Sequence, residues 1–164
     1  MADPNPAPRY QFTVWLAPFP KLRARHRVRG RRGRKWVVQT YTPLKGRRAE
    51  GLLRDEVLHA LEGERPELTG ALALRITAYL AYPTAMALWR RALAWPTSTP
   101  DVDNLAKLAM DALTAAGVWK DDAQVVSLVT RKRYVEAIDA RWEISLRWVG
   151  PSPADLQRPE VLVA

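Results

Sequence analysis

Between Arg141 and Trp148 the chain alternates without a break. Trp142, Ile144, Leu146 and Trp148 are large and apolar, whereas Arg141, Glu143, Ser145 and Arg147 are polar. A repeat of two is the signature of a β-strand with one buried face. A chain containing such a strand must build a sheet and cover one side of it. Other runs supply further strands: Tyr10–Ala17 and Trp36–Tyr41 are aromatic and β-branched, and Ala71–Tyr82 is apolar enough for a central strand that Pro83 closes. Val125–Tyr134 precedes the alternating strand by a short link, which predicts a hairpin.

Two longer segments have helical spacing. Leu44, Leu52, Leu53, Val57, Leu58 and Leu61 predict an amphipathic helix over 43–62, with Thr42 as cap, Pro43 in the first turn, and Gly63 and Pro66 as terminators. Leu105, Leu108, Ala109, Ala112, Leu113 and Ala116 predict another over 103–116, capped by Gly117. A short helix is expected within Ala85–Leu93. The fold expected is α/β (α+β): one small mixed sheet packed with two or three helices. At 164 residues the chain needs only one core. The domain is expected at 10–149, between a flexible segment 1–9 and a Pro-rich tail 150–164.

Composition removes several chemistries. There are no cysteines, hence no disulfides, thiol nucleophile or zinc–thiolate site. Two histidines, His26 and His59, argue against an imidazole-rich metal site. Neither a basic-then-apolar leader nor a membrane-length apolar run is present, so a cytoplasmic protein with no membrane partner is expected.

The charge is lopsided. Of 26 Lys and Arg, twelve lie in Lys21–Arg48, which has no acid; the other fourteen are outnumbered by 17 Asp and Glu. All of the net +9 therefore comes from one segment, and that points to a polyanion such as nucleic acid. Lys21, Arg23, Arg25, Arg29, Arg31, Arg32, Arg34 and Lys35 are the candidate DNA contacts, in a stretch whose glycines, Gly30 and Gly33, and lack of an apolar face read as a flexible loop. Arg131, Lys132 and Arg133 form a second basic cluster, either a solvated strand end or a phosphate contact.

Against this background the stretch PDVDNLAKLAMDALTAAGVWKDDAQV, Pro100–Val125, gathers five aspartates. Each alone has an ordinary reading: Asp101 or Asp103 as a helix cap, Asp121 and Asp122 as a solvated turn, Lys107 as an i,i+4 partner of Asp103. Together they suggest a metal site, because clustered carboxylates repel one another unless a cation lies between them. Ligands that are all oxygen select Mg²⁺, with Mn²⁺ as a substitute, and such an ion beside a basic surface suits phosphodiester cleavage. For Asp122 to join Asp101 and Asp103, the Gly117–Lys120 turn must lead back toward the start of the helix. Of the seven tryptophans most are expected in the core. Trp119 either packs the turn or stacks on an unpaired base.

The D-x-D-N-x-x-K helix followed by D-D-x-Q (Asp101, Asp103, Asn104, Lys107; Asp121, Asp122, Gln124) resembles the signature of the RusA family of Holliday-junction resolvases. Pro18, Pro20, Lys21, Arg23 and Arg25, ahead of an aromatic strand and a Thr-Pro helix, are similar to that family's opening. The likeness runs from about Thr13 to Arg147; the Arg-rich insertion and Pro-rich tail are less typical. It implies a homodimer that nicks four-way DNA junctions with Mg²⁺ in recombination and repair. Asp101, Asp103 and Asp122 then match the metal-binding carboxylates, Lys107 the essential lysine, and Asp121 a supporting residue. Tyr79, Tyr82, Met86, Leu88 and Trp89 are candidate interface groups. The alternatives are a junction-binding protein without chemistry and a metal-dependent nuclease for other branched DNA.

Overall fold

The computed structural model describes residues 9–19, 25–32, 35–41 and 44–151. Thr42 and Pro43, expected to start the first helix, lie outside them, as do Lys21, Arg23 and Arg34. The strands are β1 (Arg9–Val14), β2 (Arg25–Arg32), β3 (Lys35–Tyr41), β4 (Ala71–Ala81), β5 (Val125–Val135) and β6 (Arg141–Gly150). The helices are α1 (Leu44–Ala60), the single turn α2 (Leu88–Arg91) and α3 (Val102–Ala115).

Four strands form a mixed sheet in the order β1-β6-β4-β5. β4 is antiparallel to β6 and parallel to β5, and β1 is antiparallel to β6. On β4 every second residue, from Leu72 through Leu74, Ile76 and Ala78 to Leu80, is buried. Trp142, Ile144 and Leu146 of β6 and Val14 of β1 extend that face. It is covered by Leu53 and Val57 of α1 and by the stripe Leu105, Leu108, Ala109, Ala112 and Leu113 of α3, all in one core. The expected one-sided sheet is thus what forms. Its opposite face stays open, as a groove of about 560 Å³ lined by Gln11, Arg75, Thr77, Arg131, Ser145 and Arg147 among others.

Two expectations are corrected. β5 and β6 do not form a hairpin, because β4 lies between them. β4 is apolar on its covered face and gains ladder bonds on both edges from this position. Skipping one strand needs about 10 Å, two strand spacings, and the link around Ala137–Asp139 is long enough to make it. The Arg-rich segment also differs. Arg25–Arg32 is a strand, paired antiparallel with β3 from Arg25↔Tyr41 to Arg32↔Lys35, with a register shift between Val28 and Gly30. Strand pairing uses backbone groups, so a run without an apolar face can still enter a ribbon when an aromatic and β-branched strand follows it.

α3 ends as its sequence predicts. Gly117 has φ +76°, its N–H donates to Thr114, and the Val118 N–H donates to Leu113, which is the paired Schellman closure. Trp119 is buried and its Nε1 donates to Thr114 Oγ1 at 2.7 Å, so it packs the turn and is not presented to a base. Gly70 sits where the Trp119 turn meets β4, at φ +77°. A Cβ there would lie 2.6 Å from the Gly150 carbonyl oxygen. Gly70→Ala is therefore expected to destabilise the fold by at least about 2 kcal/mol, measured as a lowered urea midpoint at unchanged m-value.

Candidate active site

Asp101 is the residue before α3 and has extended backbone, but its side chain makes no capping hydrogen bond. Asp103 lies in the first turn, where the positive end of the helix dipole favours a carboxylate. Both are exposed, and so is Lys107, one turn further on. Among the described residues none of the three side chains has a hydrogen bond or ion pair. The ordinary readings, a capping aspartate and an Asp103–Lys107 pair, are not what forms. Asp111, a turn beyond, lies instead in a cleft against Arg47, Glu50 and Arg54 of α1.

The Asp121-Asp122 turn is built by Gln124. Its Oε1 accepts from the backbone N–H groups of Lys120 (3.0 Å) and Asp121 (3.2 Å), and its Nε2 donates to the carbonyls of Leu68 (2.8 Å) and Gly70 (3.2 Å). Asp121 Oδ1 accepts from the Ala123 N–H at 2.8 Å, completing a capping box around the short 3₁₀ turn Asp122–Gln124. Asp121 is thus occupied with the backbone, and the Asp122 side chain is left exposed with no partner among the described residues.

This turn does not lead back to the start of α3. The helix runs against β4, as a crossover between parallel strands requires, so the chain re-enters the sheet beside the beginning of β4, with Val125 at Leu72. Fourteen residues of helix separate the two acidic positions by about 20 Å. Among the described residues no three Asp, Glu or His side chains lie close enough to share a metal ion. Their oxygen-only donor set suits a hard cation, but within one chain it does not close around one.

A profile for the endodeoxyribonuclease RusA family matches residues 17–147. The chain belongs to this family. It is 30% identical over 148 residues, 85% of its length and 96% of the relative's, to the uncharacterized protein YqaN of Bacillus subtilis. A shorter stretch of 26 residues is 73% identical to the crossover junction endodeoxyribonuclease RusA of Escherichia coli K12 and 69% identical to that of Enterobacteria phage 82. That stretch covers 22% of either relative.

In this RusA-family chain the second basic cluster divides. Lys132 is structural: its ammonium donates to the carbonyls of Ser98 (2.7 Å) and Pro100 (3.0 Å), tying down the segment that leads into Asp101. The Arg133 guanidinium lies 3.9 Å from the centre of the Trp95 ring. Arg131 is exposed on the open sheet face. Residues the sequence did not single out are the tryptophans at the surface. Trp15, Trp89 and Trp95 are exposed, each with an arginine over its ring, Arg141, Arg90 and Arg133 respectively. The signal was in the sequence, since Trp89 and Trp95 stand beside arginines or in a Pro/Thr loop with no apolar period. Of the candidate interface groups, Leu88 and Trp89 are exposed. Tyr82 is engaged internally, stacked on Tyr134, and Tyr79 donates to Glu143 Oε2 at 2.9 Å. Burial, then that bond, raises the Tyr79 phenol above its ordinary value, so it stays protonated. No helix among the described residues is long and apolar enough to cross a membrane.

Gln124 makes four hydrogen bonds to the backbone, each worth about 1 kcal/mol net when partly buried. Gln124→Ala is expected to cost about 2–4 kcal/mol in urea denaturation, and Asp121→Ala only about 1 kcal/mol as a lost cap. Equal losses would show that Gln124 does not anchor the turn.

Proposed function

We propose that this chain is a structure-selective endonuclease that resolves four-way DNA junctions by paired symmetric nicks, acting as a homodimer with Mg²⁺ in recombination and repair. The observation that carries the reading is the pair Asp101 and Asp103 with Lys107. Three charged side chains of a RusA-family motif stand exposed at the mouth of α3 with no structural partner among the described residues. Neither fold stability nor capping accounts for them.

The chain's own groups divide the work. The β2–β3 ribbon carries Arg25, Arg29, Arg31, Arg32 and Lys35 along paired strands, and a two-stranded ribbon is narrow enough to enter a major groove. Its charge holds the phosphate backbone that the aspartates alone would repel. Asp101 and Asp103 would supply oxygen ligands for Mg²⁺, for which Mn²⁺ is the natural substitute, whereas Asp122, about 20 Å away along the chain, does not reach the same ion within one chain. A bound ion there would supply Lewis acidity and lower the pKa of water. Lys107, one helical turn from Asp103, would neutralise charge building on the phosphate.

The test is a synthetic mobile four-way junction incubated with the protein in Mg²⁺ and in EDTA, beside flap and fork substrates. Paired nicks on strands of like polarity, abolished by EDTA, are expected. Binding without nicks would favour a junction-binding protein, and equal cutting of flaps a general branched-DNA nuclease. Asp103→Asn should lower the cleavage rate at least a hundredfold, a loss of about 3 kcal/mol of transition-state stabilisation, while junction binding is kept or tightened.

Salt offers an independent measurement. Binding should weaken with a log–log slope of about −0.9 per phosphate neutralised. Replacing Arg29, Arg31, Arg32 and Arg34 by Ala should flatten that slope by two or more. An unchanged slope would remove the ribbon from the DNA interface.

A further inference from the structure

The face of the sheet that no helix covers is strongly basic. On β4, β5 and β6 its positions carry five arginines, Arg75, Arg131, Arg133, Arg141 and Arg147, against one acid, Glu143. Five less one leaves +4. Glu143 is already engaged, by Arg141 at 2.9 Å and by the Tyr79 hydroxyl at 2.9 Å. Arg75, Arg131 and Arg147 are exposed, and among the described residues their side chains have no hydrogen bond or ion pair. They line one groove with Thr77, Ser127 and Ser145. Arg131 and Arg147 each pair one rung away from Arg75, opposite Thr77 and Ala73, which makes them diagonal neighbours of it at about 7–8 Å. Like charges that close repel, so fold stability does not account for them.

Next to the groove, one row of rings and cations crosses the same face. Tyr79 is in register with Arg141 on one side and Arg133 on the other. The Arg141 guanidinium lies 4.1 Å from the centre of the Tyr79 ring and 5.6 Å from that of Trp15, the residue after β1. Arg133 lies 3.9 Å from the centre of the Trp95 ring. Aromatic and cation thus alternate from β1 to β5, across three strand spacings or about 14 Å. The row ends on two indoles that stay 65% and 63% exposed, Trp15 and Trp95. Large exposed aromatics mark contact surfaces. A guanidinium over each ring also restrains it, so little side-chain freedom is lost when a flat partner stacks there.

We propose that the open face of the β1-β6-β4-β5 sheet is a platform for a single-stranded nucleic acid, with phosphates on Arg75, Arg131 and Arg147 and unpaired bases stacked on Trp15 and Trp95. The charge selects a polyanion. The exposed rings select unpaired bases, because a duplex keeps its bases stacked on one another and would meet this face with phosphates alone. A basic groove joined to aromatic side chains is the combination that holds a single strand without regard to its sequence. The platform belongs to a different sheet from the β2–β3 ribbon and uses none of the aspartates. Only the identity of the strand as DNA rests on the nuclease reading; binding needs no cleavage, so either can fail without the other.

The test titrates the whole chain, in EDTA so that no strand is cut, into a fluorescent oligothymidylate of about 16 nucleotides and into a blunt duplex of the same length. Trp15→Ala with Trp95→Ala should weaken oligothymidylate binding at least about tenfold and duplex binding by less than about twofold, with the salt slope unchanged. Trp15→Phe with Trp95→Phe keeps a ring at each place and should restore most of the loss. Arg75→Gln, Arg131→Gln and Arg147→Gln together should reduce the single-strand log–log salt slope by about two, at about 0.7 for each of three phosphates. Unchanged oligothymidylate binding in the Trp→Ala chain, or an unchanged slope in the Arg→Gln chain, would overturn the proposal when the variant melts like the wild type. Equal losses on single strand and duplex in the Trp→Ala chain would overturn it too. So would a Trp→Ala chain that binds as before but has a lower mass by light scattering, since the face would then be covered by a second copy.

Discussion

The contact between α3 and the covered face of β4 organises this molecule. Leu105, Leu108, Ala109, Ala112 and Leu113 press on Leu72, Leu74, Ile76 and Ala78 in one buried cluster. Each large side chain withdrawn from water contributes about 1.5–3 kcal/mol, which outweighs any single polar contact described above. That contact forces α3 to run the length of the strand. The two acidic positions of the motif are therefore held at its two ends on a rigid spacer, and their separation follows from how the core is packed.

Each end is then fixed by one polar side chain. At the far end Gln124 gathers the backbone of Leu68, Gly70, Lys120 and Asp121, leaving Asp122 exposed. At the near end Lys132 binds the Ser98 and Pro100 carbonyls just ahead of Asp101. Neither clamp touches the exposed carboxylates. They position them, at the modest net strength of hydrogen bonds partly open to solvent, and a site on such supports keeps its charged groups free for ligands.

Much of this was legible in the sequence. The alternation at Arg141–Trp148, the stripe of α3 and the Gly117 cap each reported a local periodicity or a backbone requirement, and each formed as expected. What failed was non-local. The short link after β5 carries no information about whether the next strand lies beside it or one strand further on, so the position of β4 was hidden. Arg25–Arg32 lacks any apolar pattern because its strand is specified by its partner, Trp36–Tyr41. The path of the turn after α3 was misjudged for the same reason: spacing along the chain says which acids are near in sequence, while the parallel pairing of β4 and β5 decides which are near in space. The roles of Asp121 and Gln124 were half visible, since a capping box is a local motif, yet the grip of Gln124 on Leu68 and Gly70 spans more than fifty residues.

The distribution of charge keeps the basic and acidic groups on distinct elements. The ribbon from Arg25 to Tyr41 is rich in arginine and pairs within itself, while the aspartates are carried by α3 and the turn before β5. Phosphate attraction acts over roughly a Debye length, about 8 Å at physiological salt. Acids placed within the ribbon would cancel part of its attraction for a polyanion. Keeping them on a separate element preserves the ribbon's field, and a cation at the carboxylates would remove the remaining local repulsion only where a phosphate must approach. The order of basic ribbon, apolar core and exposed acids thus lets one small chain attract a polyanion and still present carboxylates to it.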